Sequence, residues 1–186
     1  MADTHSLPQR ARLVVHKALL VIYRHLPVGA RRRLVRSISP SFTVGAICLI
    51  ERPDGHVLLI RHAYRQRWGI PGGLLKRRED PAAAAHREVL EEVGLRIELV
   101  GEPATVVDAV PQRVDVVFRA KPVSLEAVGE MRPCSPEIVD ARWFSPDALP
   151  ELQHETAQAL VALARSCQPG LDPFTSRRRS TRTTPR

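Results

Sequence analysis

Three carboxylates crowd one short stretch of this chain. Glu88, Glu91 and Glu92 stand in the run Arg87-Glu88-Val89-Leu90-Glu91-Glu92. On a helix, Glu88 is the i,i+4 neighbour of Glu92 and the i,i+3 neighbour of Glu91, so all three share an arc of roughly 100°. Like charges at that spacing repel by about 1 kcal/mol per pair in water and by several times more in a cleft. A solvated acidic face tolerates this cost, whereas a cleft requires a cation to offset it. Few, hard, carboxylate-rich oxygens suit Mg²⁺, with Mn²⁺ able to substitute, held jointly with the phosphates of a substrate.

The flanking residues build the helix that such an arrangement needs. Asp80 is a strong N-cap, and Pro81 fits the first helical position, where a missing N–H costs nothing. Alanines 82 to 85 propagate the helix cheaply, and Gly94 supplies a residue able to take positive φ at its end. Before the helix, the turn Pro71-Gly72-Gly73 lets backbone groups approach a ligand closely.

Taken together, Gly73, Glu79, Arg87-Glu88-Val89, Glu91-Glu92 and Gly94-Leu95 resemble the complete Nudix box, G-x5-E-x7-R-E-U-x-E-E-x-G-U with U a bulky aliphatic residue. Seven fixed letters at roughly 7% each make a chance match about 10⁻⁸ per starting position. Trp68-Gly69-Ile70-Pro71-Gly72 also resembles the family's lead-in. The resemblance implies an α/β fold, an α/β/α sandwich with a mixed β-sheet, over residues 41–167. It implies an enzyme that hydrolyses a nucleoside diphosphate linked to another moiety, cleaving within the phosphate chain. Carried over by position, Glu88, Glu91 and Glu92 match the metal-binding glutamates, Arg87 orients them, and Glu79 ties the loop to the helix. Gly73 and Gly94 support the motif, and a carbonyl in the Gly72-Gly73 turn adds a metal bond, which we assign to Gly72. Glu88 matches the catalytic base of some members. Others take the base from a later loop, for which Glu137 is the first choice here, with Glu126 and Glu130 as rivals and Asp140 read as structural.

Substrate signals are thinner. The extended motif of coenzyme A pyrophosphatases is absent, as is the SQPWPFPxS-like string of NADH pyrophosphatases. Pro111 follows Leu95 by sixteen residues, a spacing that resembles ADP-ribose pyrophosphatases. The Trp68 to Gly73 approach instead resembles members that cleanse oxidised nucleoside triphosphates. The reading leans to a nucleoside diphosphate sugar such as ADP-ribose, with oxidised (d)NTP cleansing as the alternative and a non-catalytic nucleotide-binding module as the contrasting class. Arg61, Arg65 and Arg67 crowd the approach to the box, where a substrate's phosphates would arrive or where they form only a solvated loop.

With 186 residues, the chain is long enough for one domain with a substantial core plus appendages. Cys48, Cys134 and Cys167 are scattered and odd in number, so neither a disulfide framework nor a thiolate metal site is expected, and the expected compartment is a reducing cytoplasm. The net charge of +8 is uneven. Residues 1–40 carry eight Lys/Arg against one Asp, and residues 171–186 carry five Arg against one Asp, which leaves residues 41–170 acidic by three. A nucleic-acid partner is therefore not expected on the central domain.

Residues 1–40 read as a basic helical extension. Arg10 to Leu26 has Arg10, Lys17 and Arg24 on one stripe and apolar residues around most of the rest, so it is expected to be buried against the domain or a second subunit. Peripheral attachment to an anionic membrane, through that stripe and Arg31-Arg32-Arg33, is a second expectation, and a mitochondrial targeting role is a weaker third. The longest apolar run, Ala18 to Tyr23, is far below the roughly 20 residues needed to span a bilayer, and no signal-peptide cleavage pattern follows it. A second helix runs from Val28 to Ser37. Strands are expected at 42–50 and at 56–62, the latter joined by an Asp54-Gly55 hairpin, then at 96–100, 104–110, 114–120 and 139–144. Residues 121–136 are expected to form a long loop shaping the pocket. Glu151 to Cys167 reads as an amphipathic helix, and 168–186 as a disordered basic tail.

Overall fold

The computed structural model describes residues 9–166, so the tail, Cys167 and the first eight residues lie outside the described residues. The chain divides into two compact units, residues 1–41 and 42–186.

The second unit is organised on β1 (Thr43–Ile50), whose β-branched and aliphatic residues are buried from Gly45 onward on both faces, as a central strand requires. Strand β1 pairs in parallel with β5 (Arg113–Pro122) and antiparallel with β3 (Gly72–Leu74), while β5 pairs antiparallel with β4 (Ile97–Asp108). The mixed sheet thus runs β3-β1-β5-β4. Strands β2 (Val57–His62) and β6 (Ile138–Phe144) form a separate antiparallel pair. One core cluster joins helix α3 (Pro81–Val93), through Ala84, Ala85, Val89 and Val93, to Ala46, Cys48, Ile50, Leu58 and Phe118. A second cluster sets Ala159 and Leu163 of helix α5 (His154–Ser166) against Ile47, Leu49, Leu59 and Val117. Alternate residues of β1 therefore serve opposite layers, and the architecture is the expected α/β/α sandwich. Burial in this core pushes the Cys48 thiol up to about 12, which leaves it inert, whereas Cys134 is exposed.

Several sequence expectations are corrected. The Asp54-Gly55 turn forms, with Arg52 N–H bonded to the His56 carbonyl at 2.9 Å and Gly55 at φ 84°, but β1 and β2 share only the Glu51–Val57 bridge and then diverge into different sheets. A local turn signal does not specify how far the strands beyond it stay paired. Gly72 and Gly73 lie within β3 rather than in a turn. The two strands expected at 96–100 and 104–110 are one, kept continuous by a bulge between Val100 and Ala104 where Gly101 takes φ 69°. The expected long loop contains helix α4 (Leu125–Glu130), capped by the Ser124 hydroxyl accepting from Ala127 N–H at 3.2 Å.

The first unit comprises α1 (Gln9–His25) and α2 (Val28–Ile38). Arg31 joins them: its Nε donates to the Leu26 carbonyl at 2.8 Å, and its guanidinium lies 5.5 Å from the Tyr23 ring centroid. Within this unit much of the apolar surface of α1 stays uncovered, since Leu13, Val14, Leu20, Val21 and Ile22 are each more than half exposed. Two short helices are too small to enclose their own apolar surface.

Candidate active site

Helix α3 begins and ends as its caps dictate. The Asp80 carboxylate accepts from Ala82 N–H at 2.9 Å and Ala83 N–H at 3.4 Å, Pro81 follows, and Gly94 closes the helix at φ 68° with its N–H on the Leu90 carbonyl at 3.0 Å. Ala85, Val89 and Val93, spaced at i,i+4, turn into the core, and this fixes the rotation of the helix. Glu88 and Glu92 consequently flank the buried seam, while Glu91 points outward with its side chain 53% exposed.

Arg87 ties the surroundings together. Its Nε and Nη2 grip the two oxygens of Glu79 at 2.7 and 2.8 Å, a bidentate pair, and its Nη1 reaches Glu88 at 2.5 Å and Glu91 at 3.2 Å. Nη2 also donates to the Leu74 carbonyl at 3.3 Å, which links α3 to β3. One guanidinium therefore serves three carboxylates and the sheet edge, a geometry a lysine could not reproduce. The Arg87 guanidinium, together with the Lys76 N–H at 2.7 Å, holds the Glu79 carboxyl down at about 2.

Strand β3 supplies the opposing backbone. Gly72 N–H donates to Glu92 Oε2 at 3.0 Å. At φ 149°, a Cβ on Gly72 would meet the Ala46 carbonyl at 2.4 Å, and one on Gly73 would meet the Glu88 carboxylate at 2.5 Å. Only glycine lets this strand sit between β1 and the glutamates. Glu92 is 8% exposed, and burial raises its pKa. The His62 ring, with Nε2 at 3.7 Å from Oε1, and the Gly72 N–H oppose that rise, while the charge of Glu88 adds to it.

Glu88 and Glu92 open into a cavity of about 490 Å³ together with Gly72, Gly73, His62, Tyr64, Arg65, Arg113, Glu137, Gln153, Glu155 and Thr156. Of the three arginines expected at the approach, only Arg65 lines it, with Nη1 on Gln153 at 3.0 Å and Glu155 at 3.1 Å. Arg61 lies elsewhere, 5.7 Å from the Trp68 ring centroid and 3.9 Å from Asp140, and Arg67 pairs with Glu151 at 2.5 Å. Their side chains leave β2 and the following loop in different directions, which closeness in sequence does not reveal. Glu137 lines the cavity, whereas Glu126 and Glu130, carried off on α4, do not, nor does any other part of the expected pocket-shaping loop.

Sequence reasoning missed His62, Tyr64, Arg113, Gln153, Glu155 and Thr156. Arg113 had a faint signal, since it stands two residues before Asp115 on a strand and so shares a face with it. Its Nε donates to both Asp115 oxygens at 2.8 and 2.9 Å, with Asp115 buried at 5% exposure beside Gly45, whose lack of a side chain makes the room. Gln153 and Thr156 are placed only by the docking of α5. The Thr156 hydroxyl accepts from Ile70 N–H at 3.2 Å, and Gln153 Nε2 donates to the Arg67 carbonyl at 3.0 Å.

Among the described residues no three acidic, histidine or cysteine side chains converge on one point as they stand, because Glu91 is held outward by Lys76, at 3.5 Å, and by Arg87. The donor chemistry nonetheless fits a hard divalent cation. A buried carboxylate and a neighbouring one share a cavity wall, and the charge of Glu88 raises the cost of charging Glu92.

Comparison with known proteins agrees with this geometry. The NUDIX domain family matches residues 41–164. A MutT-like protein of Streptomyces ambofaciens is 33% identical over 116 residues, covering 62% of this chain and 72% of the relative. The NAD-capped RNA hydrolase NudC of Pseudomonas syringae is 34% identical over 122 residues, covering 64% of this chain, which spans only 41% of that relative. The crystal structure of a MutT NUDIX hydrolase from Burkholderia pseudomallei superposes with a TM-score of 0.56 at 32% identity, covering 67% of this chain and 99% of that one. With its box helix capped, its glutamates on the cavity wall and its sandwich shared with these proteins, the chain belongs to the Nudix hydrolase family.

Proposed function

We propose that the chain hydrolyses a phosphoanhydride bond in a nucleoside diphosphate linked to a second moiety, using Mg²⁺ or Mn²⁺, with ADP-ribose or a similar nucleoside diphosphate sugar as substrate. The observation that carries this reading is a buried Glu92 and its neighbour Glu88 opening into the same cavity as Arg65, Arg113 and Glu137. Glu88, Glu91, Glu92 and the Gly72 carbonyl would hold the cation, with Glu91 turning from Lys76. The bound ion would neutralise phosphate charge and acidify the attacking water.

The chain's own residues supply the rest. Arg87 holds Glu79, Glu88 and Glu91 in register. Arg65 and Arg113 offer positive charge to phosphate oxygens, each aimed by its own acidic neighbour, Glu155 and Asp115. Glu137 accepts the proton from water. Among the described residues its carboxylate makes no hydrogen bond or ion pair, whereas one oxygen of Glu88 is already engaged by Arg87 at 2.5 Å. The acceptors of Glu155 and Gln153 suit the hydroxyls of a sugar, and Tyr64, 67% exposed at the cavity, suits the face of a base.

The test is a substrate panel of ADP-ribose, dinucleoside polyphosphates, CDP-alcohols and oxidised dGTP with Mg²⁺ or Mn²⁺, analysed by product. Release of AMP and ribose 5-phosphate from ADP-ribose supports the reading. The Trp68 to Gly73 lead-in and a 32% identity over 140 residues to a putative 8-oxo-dGTP diphosphatase of Mycobacterium tuberculosis favour a second reading, in which oxidised dGTP is cut to its monophosphate and pyrophosphate instead. Binding without turnover of any compound would leave a non-catalytic nucleotide module and sink both.

A further inference from the structure

We propose that residues 9–38 dock this protein on an anionic lipid surface, with helices α1 and α2 lying in the interface rather than crossing it. The first observation is chemical. These thirty residues contain Arg10, Arg12, Lys17, Arg24, Arg31, Arg32, Arg33 and Arg36 and no Asp or Glu. Arg31 is spent on the α1–α2 junction, through Leu26 and Tyr23. Among the described residues no carboxylate pairs with Arg32, Arg33 or Arg36, and all three are exposed.

The second observation is the segregation of apolar from basic side chains on α2. At 100° per residue, Val28, Leu34, Val35 and Ile38 gather on one side of the helix, while Arg32, Arg33 and Arg36 gather on the other. The apolar set is exposed, Ile38 at 75% and Val28 at 62%. A shallow groove of about 370 Å³ beside α2 is lined by Tyr23, Val28 and Val35 together with Arg31, Arg32 and Arg36. Aliphatic side chains beside guanidinium groups match the acyl boundary and the anionic headgroups of a bilayer at once.

Other occupants fit less well. A second copy of the chain would cover the apolar side but would bring two arrays of unpaired arginines together with no acid to receive them. A single-stranded RNA would answer the charge, yet it would leave Leu34 and Ile38 uncovered, and Tyr23 is the one Phe, Tyr or Trp among residues 9–38 on which a base could stack. No described helix is long and apolar enough to cross a membrane, which agrees with attachment in the plane of the interface.

The experiment is co-sedimentation of the full chain with vesicles of phosphatidylcholine alone and of phosphatidylcholine mixed with phosphatidylglycerol. Pelleting with the mixed vesicles only, weakened by added salt, is expected. Ile38→Asp removes apolar surface, and the double variant Arg32→Gln/Arg36→Gln removes charge. Each should lower vesicle partitioning by roughly tenfold or more while the melting curve of the domain stays unchanged. The arginine variant keeps the apolar side intact, so it decides the matter where Ile38→Asp disturbs the helix. Equal pelleting with neutral vesicles, no pelleting with either, or indifference to both variants would overturn the proposal. So would a concentration-dependent dimer that Ile38→Asp dissociates, or RNA binding in place of vesicle binding.

Discussion

Helix α3 and the pair α1–α2 are built from similar stock, aliphatic residues interspersed with charge, and they put it to opposite use. In α3 the charges face one another: Arg87 engages Glu79, Glu88 and Glu91, and Glu92 is sealed against Gly72 and His62. Its aliphatic side is buried, with Ala84, Ala85, Val89 and Val93 all at 0% exposure. In α1 and α2 the charges have one sign, Arg32, Arg33 and Arg36 are exposed, and aliphatic residues such as Val28 and Ile38 are exposed with them. Packing accounts for the difference. Once Val89 and Val93 lock α3 against β1, its carboxylates have a fixed address, and repulsion among them becomes a property that a ligand can relieve. Within the first unit, Val28, Leu34, Val35 and Ile38 stay exposed instead.

This contrast can be broken in order of effect. Glu92→Gln should lower turnover by about 10³-fold while leaving the melting temperature nearly unchanged, because the amide oxygen still accepts from Gly72 N–H. Stopped assays of product release beside thermal melts would show it, and retained turnover would remove Glu92 from the chemistry. Chelation of divalent ions should abolish turnover in the same assay and readdition of Mg²⁺ or Mn²⁺ restore it. Gly72→Ala should destabilise the domain by about 2–4 kcal/mol, since a Cβ there meets the Ala46 carbonyl at 2.4 Å with φ at 149°. The midpoint of urea unfolding measures this, and an unshifted midpoint would mean that β3 can move away.

Smaller effects sharpen the comparison. The hydrogen bonds from Arg87 and Lys76 hold the Glu79 carboxyl at about 2, below the 4.5 of a free glutamate. Its pairing with Arg87 therefore contributes fully above pH 4.5 and fades as pH falls toward 2. Glu79→Gln should start from a lower stability at neutral pH and lose less of it across that window, as urea unfolding at successive pH values would reveal. Parallel curves for the two proteins would contradict this. Arg36→Gln, a change of the same chemical kind on α2, should shift unfolding by no more than about 0.5 kcal/mol. A larger shift would show that the first unit is pinned by its arginines.

Much of the active helix was legible because its signals are local. Asp80, Pro81 and Gly94 mark its ends within one turn, and Glu88, Glu91 and Glu92 fall together by helical geometry alone. Residue Glu137 was reachable from its position before a strand. What stayed hidden depended on contacts far apart along the chain. Strand β3 is three residues long and reads as a turn until β1 lies beside it. Gly101 split β4 on paper because a bulge and a turn share the same residue. Arg61, Arg65 and Arg67 looked alike, yet only Arg65 meets Gln153 and Glu155, eighty-eight and ninety residues onward.

By itself the amino-acid order determined the family, the capped helix and the charge imbalance between the ends and the middle. These follow from residue type and from rotations of 100° per residue, which need no partner. The tertiary structure alone decided that Glu92 is buried while Glu91 is not, and that Arg113 and Thr156 share a cavity with Glu88. Burial and convergence are properties of packed surfaces, set by which distant strands and helices meet, and no local pattern encodes that meeting.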